Sequence, residues 1–160
     1  MALEGSLTLE AGQVFMVSPS ELPRVSAQLV AESVYGGWLV ACFFGGEPDP
    51  GVIATVDLYD WFERGRWQVS HVAEVLDIPL PVAVVYSGGK SLLYDFYGRP
   101  IREARSGELE LLGRPKSISP IGLLKACKAY AGLIGNTPRY EDMTAESYFF
   151  KIDLLNEAGL

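Results

Sequence analysis

Apolar positions along the chain change period several times, and each change marks an expected element. Gln13 to Val17 (QVFMV) is apolar and β-prone, which predicts a strand. Ser18-Pro19-Ser20-Glu21 follows, with serine at a cap position, proline next and glutamate three residues after the serine, so a helix is predicted to start there. Leu22, Val25 and Leu29 fall on one face at helical spacing, and Tyr35-Gly36-Gly37 ends the element. WLVACFF (38–44) is a continuous apolar run of strand length, closed by the turn-rich GGEPDPG (45–51). Val56, Tyr59 and Phe62 then mark a second amphipathic helix, stopped by Gly65.

SHVAEVLDIPLP (70–81) predicts a short helix ending before Pro79 and Pro81, because the residue before a proline is disfavoured in helical geometry. A domain boundary near Pro79 divides the chain into an N-terminal α/β domain over 1–78 and a C-terminal domain over 79–160. In the second, VAVVY (82–86), SLLYDFY (91–97) and ELELL (108–112) are expected strands of a meander, with turns at Gly88-Gly89, Gly98-Arg99-Pro100 and Gly113-Arg114-Pro115. Ser119-Pro120 opens a helix on which Leu124, Cys127, Ala131 and Ile134 share a face, and Gly135-Asn136 terminates it. Tyr148, Phe150, Ile152 and Leu154 alternate with Phe149, Lys151 and Asp153, a strand pattern. The expected class is α/β (α+β), a small mixed N-terminal domain followed by a C-terminal mixed sheet flanked by helices.

Composition limits what such a fold can do. With 160 residues, 49% of them hydrophobic, the chain can bury a sizeable core. No apolar run approaches the roughly 20 residues of a spanning helix, and MALEGSLTLE lacks the basic region and apolar core of a signal peptide, so a soluble cytoplasmic protein is expected. Cys42 and Cys127 form no C-x-x-C pattern and read as small core residues. The net charge of −7 opposes a phosphate backbone unless basic residues cluster in space. Seven of the 13 Lys and Arg residues lie between Arg99 and Lys128, the stretch where a local patch could form.

The order of these elements resembles the archaeal tRNA-splicing endonucleases over nearly the whole chain. The first half is similar to their small N-terminal domain: a strand, a Ser-Pro-Ser-Glu helix, a Tyr-Gly element and the run VDLYDWFERGRWQV (56–69). The second half looks like their restriction-endonuclease-like C-terminal domain through VVYSGGK, LLYDFY, ELELL, SPIGLLKACKAYAGLIG and SYFFKIDLL. Catalytic members of that family use Tyr, His and Lys without metal, for proton transfer and stabilisation of a charged phosphorane. By the resemblance the tyrosine would fall at Tyr97 or Tyr94, the histidine within Ala104 to Glu108 and the lysine around Leu133 to Thr137. The last two windows contain no His and no Lys, and the single histidine, His71, lies elsewhere.

The resemblance therefore implies a non-catalytic structural subunit that assembles with a separate catalytic subunit into a heterotetramer and serves intron removal from precursor tRNA, with no cofactor and no metal of its own. An acidic loop before the last strand, with Tyr140, Glu141, Asp142 and Glu146, would enter a cleft of the partner. The terminal strand would pair beside it through Tyr148, Phe149, Phe150, Ile152 and Leu155. Tyr35, Trp38, Trp61 and Trp67 read as core or domain-interface residues, with no direct RNA contact. Rival readings are weaker in motif. SGGKS (87–91) lacks the first glycine of a phosphate-cradling loop, since Val84 stands there, and fits a tight hairpin turn. The same pentapeptide with Asp57, Asp60 and Asp153 faintly resembles the archaeal-eukaryotic primases, metal-dependent nucleotidyltransferases, but Leu92-Leu93 replace the histidine of their motif. An unrelated protein-interaction module is the third alternative.

Overall fold

A computed structural model describes residues 8–58 and 61–157, so Asp60 and the expected helical residue Tyr59 lie outside the described residues. The strands are β1 (Gln13–Ser18), β2 (Leu22–Glu32), β3 (Trp38–Phe44), β4 (Val52–Val56), β5 (Val69–Val72), β6 (Ala83–Ser87), β7 (Lys90–Tyr94) and β8 (Pro100–Glu103). The helices are α1 (Glu108–Leu112), α2 (Pro120–Tyr130), α3 (Pro138–Glu141) and α4 (Ala145–Glu157). The fold is mixed α+β. Its five-stranded sheet has the order β4-β3-β2-β1-β5 and its three-stranded sheet the order β6-β7-β8.

Hairpins generate the larger sheet. Phe15 stands opposite Ala27, Ala27 opposite Cys42 and Val40 opposite Ala54, and β5 returns to pair with the free side of β1. Both faces of this sheet are covered. On one, Phe15, Leu29, Val40 and Cys42 meet Leu123, Ala126 and Cys127 of α2 together with Leu58, Phe62 and Trp67. On the other, Val30, Leu39, Ala41 and Ile53 meet Phe96 and Ala145, with Leu76, Ile78, Leu80, Tyr148 and Phe149 at the margin. Residues from either side of Pro79 thus share both cores.

Several expected elements are replaced, each for a local reason. The Ser-Pro-Ser-Glu signal closes the β1–β2 hairpin: the Ser18 hydroxyl accepts from the Glu21 N–H at 3.3 Å and lies 3.5 Å from its carboxylate, contacts of a helix cap made in a turn. The chain then continues as β2, buried on both faces over Ala27–Val30, so the alternation that would reveal a strand is missing. Gly36 and Gly37 shape the β2–β3 turn with φ of 100° and 84°. Residues 61–67 fold as successive turns in place of a second helix, and Phe62 and Trp67 fold back on Phe15 with ring centroids 5.0 and 4.7 Å away. The indole N–H of Trp67 donates to the Val17 carbonyl at 2.9 Å.

Residues 70–81 form no helix; β5 leads into an extended segment carrying Pro79 and Pro81. ELELL is the single-turn helix α1, not a strand. Arg102 grips the Glu108 carboxylate with two bonds of 2.8 and 2.7 Å, and the Arg105 N–H adds a third at 2.5 Å. The expected terminal strand is also a helix. Ala145, Ile152 and Leu155 are buried along one side of α4, and the Thr144 hydroxyl caps it by accepting from the Ser147 N–H at 3.2 Å. The same apolar residues fit periods of 2 and 3.6, and the burial of Ala145, Ile152 and Leu155 follows the second. The expected mixed sheet is two antiparallel sheets, with one isolated parallel bridge between Val56 and Ile118. The Gly88-Gly89 turn, the strands over 13–17, 38–44 and 82–86 and the helix opened by Ser119-Pro120 form where the sequence placed them, although that helix ends at Tyr130 and buries Leu123, Ala126 and Cys127.

Candidate functional site

The outer edge of β4 is closed by two segments from the C-terminal half. The Ile118 N–H donates to the Thr55 carbonyl and its own carbonyl accepts from the Asp57 N–H, both at 2.8 Å. At the other end the Ile53 N–H donates to the Met143 carbonyl at 3.0 Å, and the Ala145 N–H to the Gly51 carbonyl at 2.9 Å. These bridges fix the segments that precede them, 114–117 and 138–142, in the lining of a cleft of about 800 Å³. That volume is in the range of small-molecule sites.

The floor is apolar, built by Leu39 and Ile53 of the sheet with Phe96, Ile118 and Ile152. One wall is the stretch from Pro81 to Ala83 and another is α4, through Tyr148 and Lys151. The Tyr148 hydroxyl donates to the Pro79 carbonyl and so ties the two walls together. Burial pushes the Tyr148 phenol well above its ordinary pKa.

Charge gathers at the mouth, where Arg114, Lys116, Arg139 and Lys151 face two acids, Asp95 and Asp142. Lys151 lies 2.5 Å from the Asp142 carboxylate and Lys116 3.8 Å away. Burial alone would raise the Asp142 pKa; the hydrogen bond from Lys151, with the charges of Lys151 and Lys116, outweighs it and lowers the pKa. Asp95 is held low chiefly by the Arg99 N–H at 2.8 Å, supported by the Arg99 side chain at 2.9 Å. Arg114 and Arg139 form no ion pair with a described residue.

The residues expected to bind a partner disperse. Tyr140 packs against the core beneath α2, Glu141 is exposed on α3, and Asp142 is engaged by the two lysines. Glu146 is exposed on the first turn of α4 and Phe150 is 60% exposed farther along it. Tyr148 and Phe149 are half-buried, and Ile152 and Leu155 are buried. Because this segment is helical, it offers no strand edge to pair with another chain. Tyr94 lies at the end of β7 and Tyr97 in the turn after it, residues 104–108 lead into α1, and 133–137 form an exposed loop. His71 sits on β5 with its Nδ1 2.9 Å from the Ser70 hydroxyl, and the Asp57 carboxylate accepts from the Ser117 hydroxyl at 3.0 Å.

Sequence reasoning located half of the cationic mouth. Arg114 and Lys116 belong to the basic stretch between Arg99 and Lys128, but Arg139 and Lys151 are isolated in sequence and only the bridges to β4 bring them near. Among the described residues no three His, Cys, Asp or Glu side chains come together as possible metal ligands, and no helix is long and apolar enough to cross a membrane. No protein-family model, curated protein or solved structure matches the chain.

Proposed function

We propose that this chain is a non-catalytic binding protein that holds a small ligand in the cleft beside β4. The carrying observation is the cleft itself: about 800 Å³ of space with an apolar floor and a basic mouth, on a chain whose net charge is −7. Sites of this kind combine an apolar lining with a few polar groups that orient the ligand. Thr55 follows Ile53 on the same face of β4 and lines the cleft, so Thr55→Trp would fill it. The neutral dye N-phenyl-1-naphthylamine is expected to brighten with the native protein and not with Thr55→Trp, the thermal melt of each showing that both are folded. Equal brightening in the two proteins would overturn the reading.

A second reading, the structural subunit of a tRNA-splicing endonuclease, has narrower support. Exposed Glu141 and Glu146 with Phe150 offer an acidic and aromatic surface for a catalytic partner. Pairing through a terminal strand is no part of it, because α4 is helical. Co-purification with a candidate catalytic subunit, followed by cleavage of an intron-containing precursor tRNA, tests it. Activity appearing only in the mixture would favour this reading; absence of any complex would remove it.

A further inference from the structure

We infer that the ligand of the cleft is a small amphiphilic oxyanion, a carboxylate or phosphate monoester on an apolar body, its head at Arg114 and Arg139. The inference rests on the binding reading above and names what is bound. The two acids of the lining are already engaged, Asp142 by Lys151 and Lys116 and Asp95 by Arg99. Arg114 and Arg139 are exposed and form no ion pair with a described residue. Two guanidinium groups at one mouth draw a negative ligand against the sign of the whole chain.

The segments that carry the two arginines meet at one ion pair. Lys116, two residues after Arg114, reaches Asp142, and Asp142 caps the turn of α3 that carries Arg139. A guanidinium fork matches the paired oxygens of a carboxylate or phosphate. Val82, Leu112, Pro115 and Met143, half-buried in the lining, present apolar surface that an inorganic ion would leave against water, at about 25 cal/mol per Å². A nucleic-acid strand would need many phosphate contacts and would meet the net charge of −7. An anion with an apolar body uses both parts of the cleft.

Calorimetric titration of the full chain at low salt, below micelle thresholds, compares decyl phosphate, decanoate, decanol and inorganic phosphate. One of the two decyl anions, or both, is expected to bind roughly tenfold or more tightly than decanol and inorganic phosphate, and to weaken as salt rises. Their relative affinity separates a phosphate source from a carboxylate source. In the double variant Arg114→Gln/Arg139→Gln the preference for an anionic head should vanish while decanol binding stays the same. The charge-preserving Arg114→Lys/Arg139→Lys should retain that preference in part, which separates charge loss from loss of fold. Decanol binding as tightly as the anions would overturn the ligand class and leave the binding reading standing. Inorganic phosphate binding as tightly as decyl phosphate would overturn the apolar half of the inference. Heat from none of the decyl compounds would remove the inference together with the binding reading.

Discussion

Gln28 organises the chain after β5 although nothing in its sequence neighbourhood singles it out. Its buried amide donates to the Glu74 carbonyl at 2.9 Å and lies 3.3 and 3.4 Å from those of Gly12 and Ala73, while its oxygen accepts from the Leu76 N–H at 3.1 Å. Gln28→Met keeps the shape and strands these groups, so a loss of about 2 kcal/mol is expected in urea unfolding. Glu108 is the second such residue. The hydrogen bond from the Arg102 guanidinium leads the causes that hold its pKa at about 2, below the ordinary 4.5. A depressed pKa stabilises the fold above the unfolded value and loses that contribution as pH falls from about 4.5 towards 2. Glu108→Gln should cost about 2 kcal/mol at neutral pH and flatten the acid limb of a stability–pH curve. Neither residue stands out in the sequence, because burial of an amide or a carboxylate leaves no periodic trace.

At the scale of elements, sequence and structure agree where one signal acts alone and part where two compete. WLVACFF had no rival interpretation, and Ser119-Pro120 caps α2 as expected. Ser18 and Glu21 make their cap-like contacts in a hairpin, since cap chemistry satisfies local groups without dictating the next element. Residues 61–67 show tertiary contact overriding helical period. Trp67, 2% exposed, packs on Phe15, Trp61 and Phe62. Trp67→Ala is expected to cost roughly 3–5 kcal/mol in chemical unfolding. Phe150, though aromatic and in the same helix as buried Leu155, is 60% exposed, so Phe150→Ser should change stability by less than about 0.5 kcal/mol.

For the molecule as a whole, the cleft exists because distant segments converge on β4, and this was the least legible feature. The basic stretch hinted at Arg114 and Lys116; no spacing rule brings Arg139 and Lys151 to the same mouth. Tyr148 adds the tie between α4 and Pro79. Its raised pKa keeps the phenol neutral, so its stabilisation is complete below the ordinary value near 10 and is lost as pH rises beyond it. Tyr148→Phe should cost about 1 kcal/mol at neutral pH and lessen the loss of stability above pH 10, as followed by thermal melts across alkaline buffers.

The two bridges on β4 also bear on synthesis. Residues 52–56 leave the ribosome long before Ile118 and Thr144, so during elongation the nascent sheet carries an open strand edge and faces that α2 and α4 have yet to cover. Such an edge is a template for pairing with another chain, and closing it requires contacts far apart in sequence, which slows folding. A chain halted after Gly113 should therefore associate with itself and unfold without a sharp transition. Adding the missing segment in trans, as a peptide spanning 114–157, should suppress that association if the edge is its cause.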